Sequence, residues 1–139
     1  MILEELLDDK YPHATFHDAK IEDLKIDYIN NIASLHIELY VGDPNAAYEN
    51  EREIKRRGKL QFTGLVYCAI DPPDAKYPYS DVKGLWLASD GPVDPSGTSA
   101  NARLPQDIPA DAFVHSFYIN DWNSNIYISA KDASFEWFQ

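Results

Sequence analysis

The segment that most restricts the fold is Leu35-His36-Ile37-Glu38-Leu39-Tyr40-Val41, in which apolar and polar side chains alternate without interruption. A period of two places every second residue on one face, so this run is a half-buried β-strand. Just upstream, Leu24, Ile26 and Tyr28 alternate with Lys25 and Asp27 in the same way. Between the runs stands Asn30-Asn31, a pair that tolerates positive φ and suits a tight turn, so a β-hairpin is predicted. The step from Ile21 to Leu24 is three residues rather than two, and a bulge near Glu22-Asp23 would keep both on one face.

The remaining chain extends this pattern. Ile2, Leu3, Leu6 and Leu7 have helical spacing, which predicts a short N-terminal helix ending before Tyr11-Pro12. Asp43-Pro44 suits a helix start, and a helix over 44–58 would pair Glu51 with Lys55 and Glu53 with Arg57. That stretch has little to bury, so a loop or strand extension is the competing reading. Lys59 to Asp71 reads as one long strand, apolar on both sides in its second half and therefore central. Shorter strands are predicted over 82–88, 113–119 and 126–130, with a last one around Phe135 and Trp137. Residues 89–112 contain four prolines and two glycines and form a long irregular loop. The sum is one domain over 1–139, a β-rich α+β fold that is mainly antiparallel β. A curved sheet, a sandwich or a partly open barrel all satisfy it.

Composition narrows the function classes. With 139 residues the chain can bury a core without a disulfide or metal, and 13% aromatic content sets it apart from acidic disordered chains. Its 12 basic and 23 acidic residues give a net charge of −11. That sign disfavours nucleic-acid binding and anionic membrane surfaces and would steer in a basic protein partner. No apolar run approaches the roughly 20 residues of a spanning helix, and the acidic opening is not a secretory signal. A single cysteine, Cys68, set among apolar neighbours, fits a reducing cytoplasm.

The densest polar cluster is His13, His17 and Asp18. Two histidines four apart can share a metal on a helix, but Pro12 and the strand that follows oppose a helix, and no third ligand is close in sequence. No metal or cofactor is therefore expected. His17 and Asp18 are also weak candidates for a general base and its orienting carboxylate. Adjacent residues of an extended strand point to opposite faces, however, so their direct pairing is not expected. The competing reading is a turn in which Asp18 bonds backbone N–H groups and His17 sits at the sheet edge. Asp71 with Asp74, and Asp90 with Asp94, lack the spacing of an EF-hand calcium loop and read as solvated turn residues. Lys55, Arg56, Arg57 and Lys59 read as a solvated basic run paired with glutamates. Trp122 lies in a predicted turn, either exposed as an anchor for a partner or folded over the sheet edge, and Tyr77 and Tyr79 join it as candidate partner-binding residues.

Phe16-His17-Asp18-Ala19, with Ile21, Leu24, Ile26 and the following Leu35-Ile37-Leu39 strand, resembles the opening of small bacterial β-rich proteins of unknown function. Some of these belong to immunity-protein families associated with polymorphic toxins. The resemblance covers roughly the first 41 residues and assigns no catalytic residue. Together with the acidic charge, the small size and the absence of nucleophile motifs, it leads to the expectation of a non-enzymatic, cytoplasmic binding protein, immunity- or antitoxin-like, that occludes a basic partner. The competing readings are a small-ligand binder or minor hydrolase with a pocket under the 89–112 loop and His17 as base, a nucleic-acid mimic, and a purely structural domain. An exposed edge strand would also allow a homodimer.

Overall fold

A computed structural model of the chain describes residues 2–7, 9–76, 83–94 and 107–138. Eight strands make up almost all of its regular structure: β1 (Thr15–Asp27), β2 (Ile32–Tyr40), β3 (Lys55–Thr63), β4 (Tyr67–Ile70), β5 (Leu85–Pro92), β6 (Phe113–Ile119), β7 (Ser124–Ala130) and β8 (Asp132–Trp137). Every pairing is antiparallel, and the strand order β4-β7-β6-β5-β1-β2-β3-β8 is open rather than closed.

The β1–β2 hairpin forms where the alternation requires it. Ala33, Leu35, Ile37 and Leu39 are all fully buried, and Asn31 takes a φ of 54° in the turn. Asp27 shapes that turn by accepting the Ile29 and Asn30 backbone N–H groups at 3.0 Å each and the Asn30 amide at 2.7 Å. The Asn30 side-chain bond, followed by the backbone bonds, holds the Asp27 carboxyl below its ordinary value. Register advances from Ile21↔Ile37 to Asp23↔His36, so Glu22 is the extra residue of the expected bulge.

Two helical expectations are corrected. The N-terminal helix is only a 3-10 turn, Leu3–Leu6, because Leu7 returns to an extended conformation; Leu3 is buried, and Leu6 and Leu7 pack against the core. Over 44–58 the only helix is α1 (Glu49–Arg52), and Lys55–Thr63 is strand. Arg57 therefore pairs across strands, with Glu22 at 2.7 Å and Glu38 at 3.2 Å, not along a helix. The Glu22 bond and then the charges of both glutamates raise its pKa.

The long strand expected over 59–71 is also two strands. Gly64, at φ 61°, turns a corner between β3 and β4, and a glycine in a strand interior commonly marks such a bend. The Lys131 N–H bonds the Thr63 and Gly64 carbonyls at 3.1 and 3.2 Å, and the Val66 N–H bonds the Ser129 carbonyl at 2.8 Å. β7–β8 thus follows β3–β4 round the corner. β4 lies at one end of the strand order and exposes Ile70, and the strand buried on both faces is β7. Ile126, Ile128 and Ala130 enter the main core, while Tyr127 packs with Val114 and with the half-buried Tyr67, Ala69, Val93 and Ile108.

Curvature brings distant strands together over this core. Phe62 of β3 meets Phe113 and Phe117 of β6 with ring centroids 6.1 and 6.3 Å apart, and Phe16 of β1 meets Phe135 of β8 at 6.0 Å. Full burial of Phe16, Phe62 and Phe117 contributes about 1.5–3 kcal/mol each. β5 runs through Pro92, so the first four residues of the predicted 89–112 loop are strand. No described helix is long and apolar enough to cross a membrane.

Candidate functional site

The Phe16-His17-Asp18-Ala19 motif is a bulge. Between the pairs Thr15↔Tyr40 and Lys20↔Glu38, β1 advances five residues while β2 advances two. Phe16 and Ala19 both point into the core, and the residues between them bulge outward. Asp18 accommodates the extra length at φ 62°, a conformation in which Asp is tolerated better than most side chains.

This backbone reverses the expectation for His17 and Asp18. The bulge cancels strand alternation, and His17 Nδ1 lies 3.0 Å from Asp18 Oδ2. Among the described residues the carboxylate bonds no backbone N–H as a turn residue would; its Oδ1 instead accepts the Trp86 indole N–H at 3.0 Å. Trp86 stands on β5, opposite Lys20 of β1, and its backbone N–H donates to Asp121 Oδ2 at 2.6 Å. The indole is 47% exposed yet held at both its ring nitrogen and its backbone.

These residues line a cleft of about 840 Å³, within the range of small-molecule sites. The bulge forms one wall and residues 42–55 another; Lys83, Gly84, Trp86 and Asp121 complete it. The described lining of this cleft contains none of residues 89–112; residues 89–92 instead border a smaller hollow with His17, and residues 95–106 of the expected loop lie outside the described residues. Gly84 adopts φ 79°, and a Cβ there would come within 2.7 Å of Lys20 Cδ, so the Lys20 stem lies directly across it. Four basic residues (Lys20, Arg52, Lys55, Lys83) and four acidic ones (Asp18, Glu38, Glu53, Asp121) line the cleft. The rest of the chain holds the other 8 basic and 19 acidic residues, so the whole net charge of −11 lies outside this lining.

His13 also lines the cleft, but among the described residues no group of three or more His, Cys, Asp or Glu is arranged to hold a metal. Trp122 is half-buried and packs against the core, while its carbonyl accepts the Asp74 N–H at 2.9 Å. The exposed indole is that of Trp86. Tyr77 and Tyr79 lie outside the described residues. Cys68 is half-buried, and burial pushes its thiol up to about 11.

One pair had no counterpart in the sequence analysis. His115 of β6 is buried, with Nε2 2.7 Å from Asp90 Oδ2, and its Nδ1 is buried without a hydrogen-bond partner among the described residues. Both residues line a smaller hollow of about 250 Å³ that His17 also borders. The available signal was His115 itself, a polar residue at a core-facing position between Phe113 and Phe117.

No family model and no curated protein matches the chain. Among solved structures it is similar to the crystal structure of an uncharacterized protein from Neisseria gonorrhoeae, with a TM-score of 0.51 at 14% identity over 88% of this chain and 94% of that one. The likeness is one of fold. It extends over nearly the whole of both chains, as one shared β-rich architecture would.

Proposed function

We propose that the protein is a non-enzymatic binding protein that receives its ligand in the cleft bordered by His17, Asp18 and Trp86. The observation that carries this reading is an exposed indole pinned by two carboxylates. Asp18 holds its ring N–H, and Asp121 holds its backbone N–H. A large aromatic whose orientation is already fixed loses little entropy on contact and buries much area, which is what a binding anchor needs. The His17–Asp18 pair argues for recognition over catalysis. His17 is 66% exposed, so water competes for every proton it would move and for every charge it would stabilise.

The test is an NMR screen of neutral, cationic and anionic aromatic fragments against the labelled protein. Binding that perturbs the signals of Lys20, Gly84 and Trp86, and is lost in Trp86→Ala with the rest of the spectrum unchanged, supports the reading. Binding confined to other surfaces contradicts it. If His17→Ala removed a hydrolytic activity while leaving fragment binding intact, the minor-hydrolase reading would replace it.

A second reading is supported by the distribution of charge. With all of its net −11 outside the cleft lining, the exterior would steer in a basic protein, as the immunity-protein resemblance implies. The half-buried single cysteine suits a cytoplasmic setting for either role.

A further inference from the structure

The charges lining the cleft are unequally committed. Asp18 is engaged by His17 and the Trp86 indole, Asp121 by the Trp86 backbone, and Glu38 by Arg57, a residue outside the lining. Glu53 is the one lining carboxylate whose side chain makes no ion pair or hydrogen bond among the described residues. The cations stand differently. Lys20 and Lys83 have no carboxylate within ion-pair distance among the described residues. They are also held close in the fold, because the Lys20 stem lies across Gly84, the residue next to Lys83. Arg52 spends Nη1 on the Ala46 and Ala47 carbonyls at 2.9 and 3.3 Å, which fixes the guanidinium without neutralising it. Lys55 Nζ sits 5.0 Å from the centre of the Tyr40 ring, likewise uncompensated by a carboxylate among the described residues.

Lys20 and Lys83 both line the cleft, and two cations there without carboxylate partners among the described residues favour a bound anion. Lys20 is also the cross-strand neighbour of Trp86, so the cationic corner adjoins the exposed indole face. We propose that the cleft binds a small molecule that joins a phosphate or carboxylate group to a planar ring. The anionic group lies against Lys20 and Lys83, and the ring lies on Trp86. This inference rests on the cleft being the binding site. A cleft of this size suits a small molecule, and the charge preference is opposite to that of the acidic exterior.

The experiment titrates phenyl phosphate, benzamidinium and benzyl alcohol into the labelled protein while following the Trp86 indole N–H signal. Phenyl phosphate is expected to shift it saturably and to bind more tightly than the other two. The double variant Lys20→Met with Lys83→Met is expected to weaken phenyl phosphate by about tenfold or more, whereas Lys20→Arg with Lys83→Arg retains it. Lys83→Met alone, at an exposed position outside the strands, provides a milder version should the double variant unfold. Unchanged phenyl phosphate binding in the methionine variants overturns the inference. So does benzamidinium or benzyl alcohol shifting the indole signal where phenyl phosphate does not, an outcome that leaves the cleft reading standing. If none of the three probes shifts it, the inference and the cleft reading fall together.

Discussion

Asp18 is where local backbone and site chemistry meet. At φ 62° it sits in the left-handed region, and its carboxylate joins His17 to Trp86. Asp18→Gly removes the carboxylate but suits the backbone, while Asp18→Ala removes the carboxylate and leaves a β-carbon in a disfavoured conformation. Urea denaturation is expected to find the alanine variant less stable than the glycine variant by about 1 kcal/mol, with the Trp86 indole signal displaced in both. Equal stabilities would mean that the bulge relaxes to ordinary strand geometry. Cys68 provides a pH test with a definite sign. Burial raises the folded thiol from 9.0 to about 11, so the native state keeps a proton that the unfolded chain releases. Its contribution to stability is full below 9.0 and is lost as pH rises through about 11. Tyr67 is raised as well, by burial first and by Tyr127 second. The urea midpoint should therefore decline across that alkaline window, and decline less in Cys68→Ser; an equal decline in both proteins would remove Cys68 as a cause.

Among the elements, the corner at Gly64 separates what the sequence shows from what only the fold shows. Gly64→Ala places a β-carbon at φ 61° and within 2.9 Å of Lys131 Cβ, whereas a β-carbon at Gly91 meets nothing within 4 Å. Denaturation should show Gly64→Ala less stable by about 1–2 kcal/mol and Gly91→Ala within about 0.5 kcal/mol of the parent. Comparable losses at both would mean that the corner does not depend on the left-handed glycine. The β1–β2 hairpin and its Glu22 bulge were legible because alternation and turn chemistry act over neighbouring residues. The Phe16–Ala19 bulge was not, because it exists only relative to β2, where Thr15 meets Tyr40 and Lys20 meets Glu38. Helical spacing at Leu3 and Leu6 described a real apolar face, but the segment makes only one 3-10 turn. The predicted long strand missed its corner because the apolar run continues through Gly64, and its doubly covered character belongs to β7 instead. At the site, His17 and Asp18 were visible as a cluster, whereas their pairing depends on the φ of Asp18. The sequence pointed to Trp122, in a turn, rather than Trp86, in a strand, as the exposed indole, because exposure is decided by the strands packed around each. Asp90 and His115 are 25 residues apart, and only the β5–β6 pairing brings them together.

At the scale of the whole molecule, charge is separated by location. The residues outside the cleft lining carry all of the net −11, while the lining has four charges of each sign and three lysines, Lys20, Lys55 and Lys83, without carboxylate partners among the described residues. Such a surface repels anions at long range, where salt screens the field within about 10 Å, and the cleft can attract them only at short range. Binding of an anionic ring compound should accordingly strengthen as salt first screens the exterior, and a basic protein partner should instead weaken from the start. The most direct measurement is collisional quenching of Trp86 fluorescence by iodide and by caesium at matched ionic strength. Trp86→Phe serves to subtract the contributions of Trp122 and Trp137, the other two tryptophans. Iodide quenching the Trp86 component more strongly than caesium, despite the acidic chain, is the predicted result. Caesium as the stronger quencher would show that the exterior charge extends into the cleft and would contradict the separation on which its ligand preference depends.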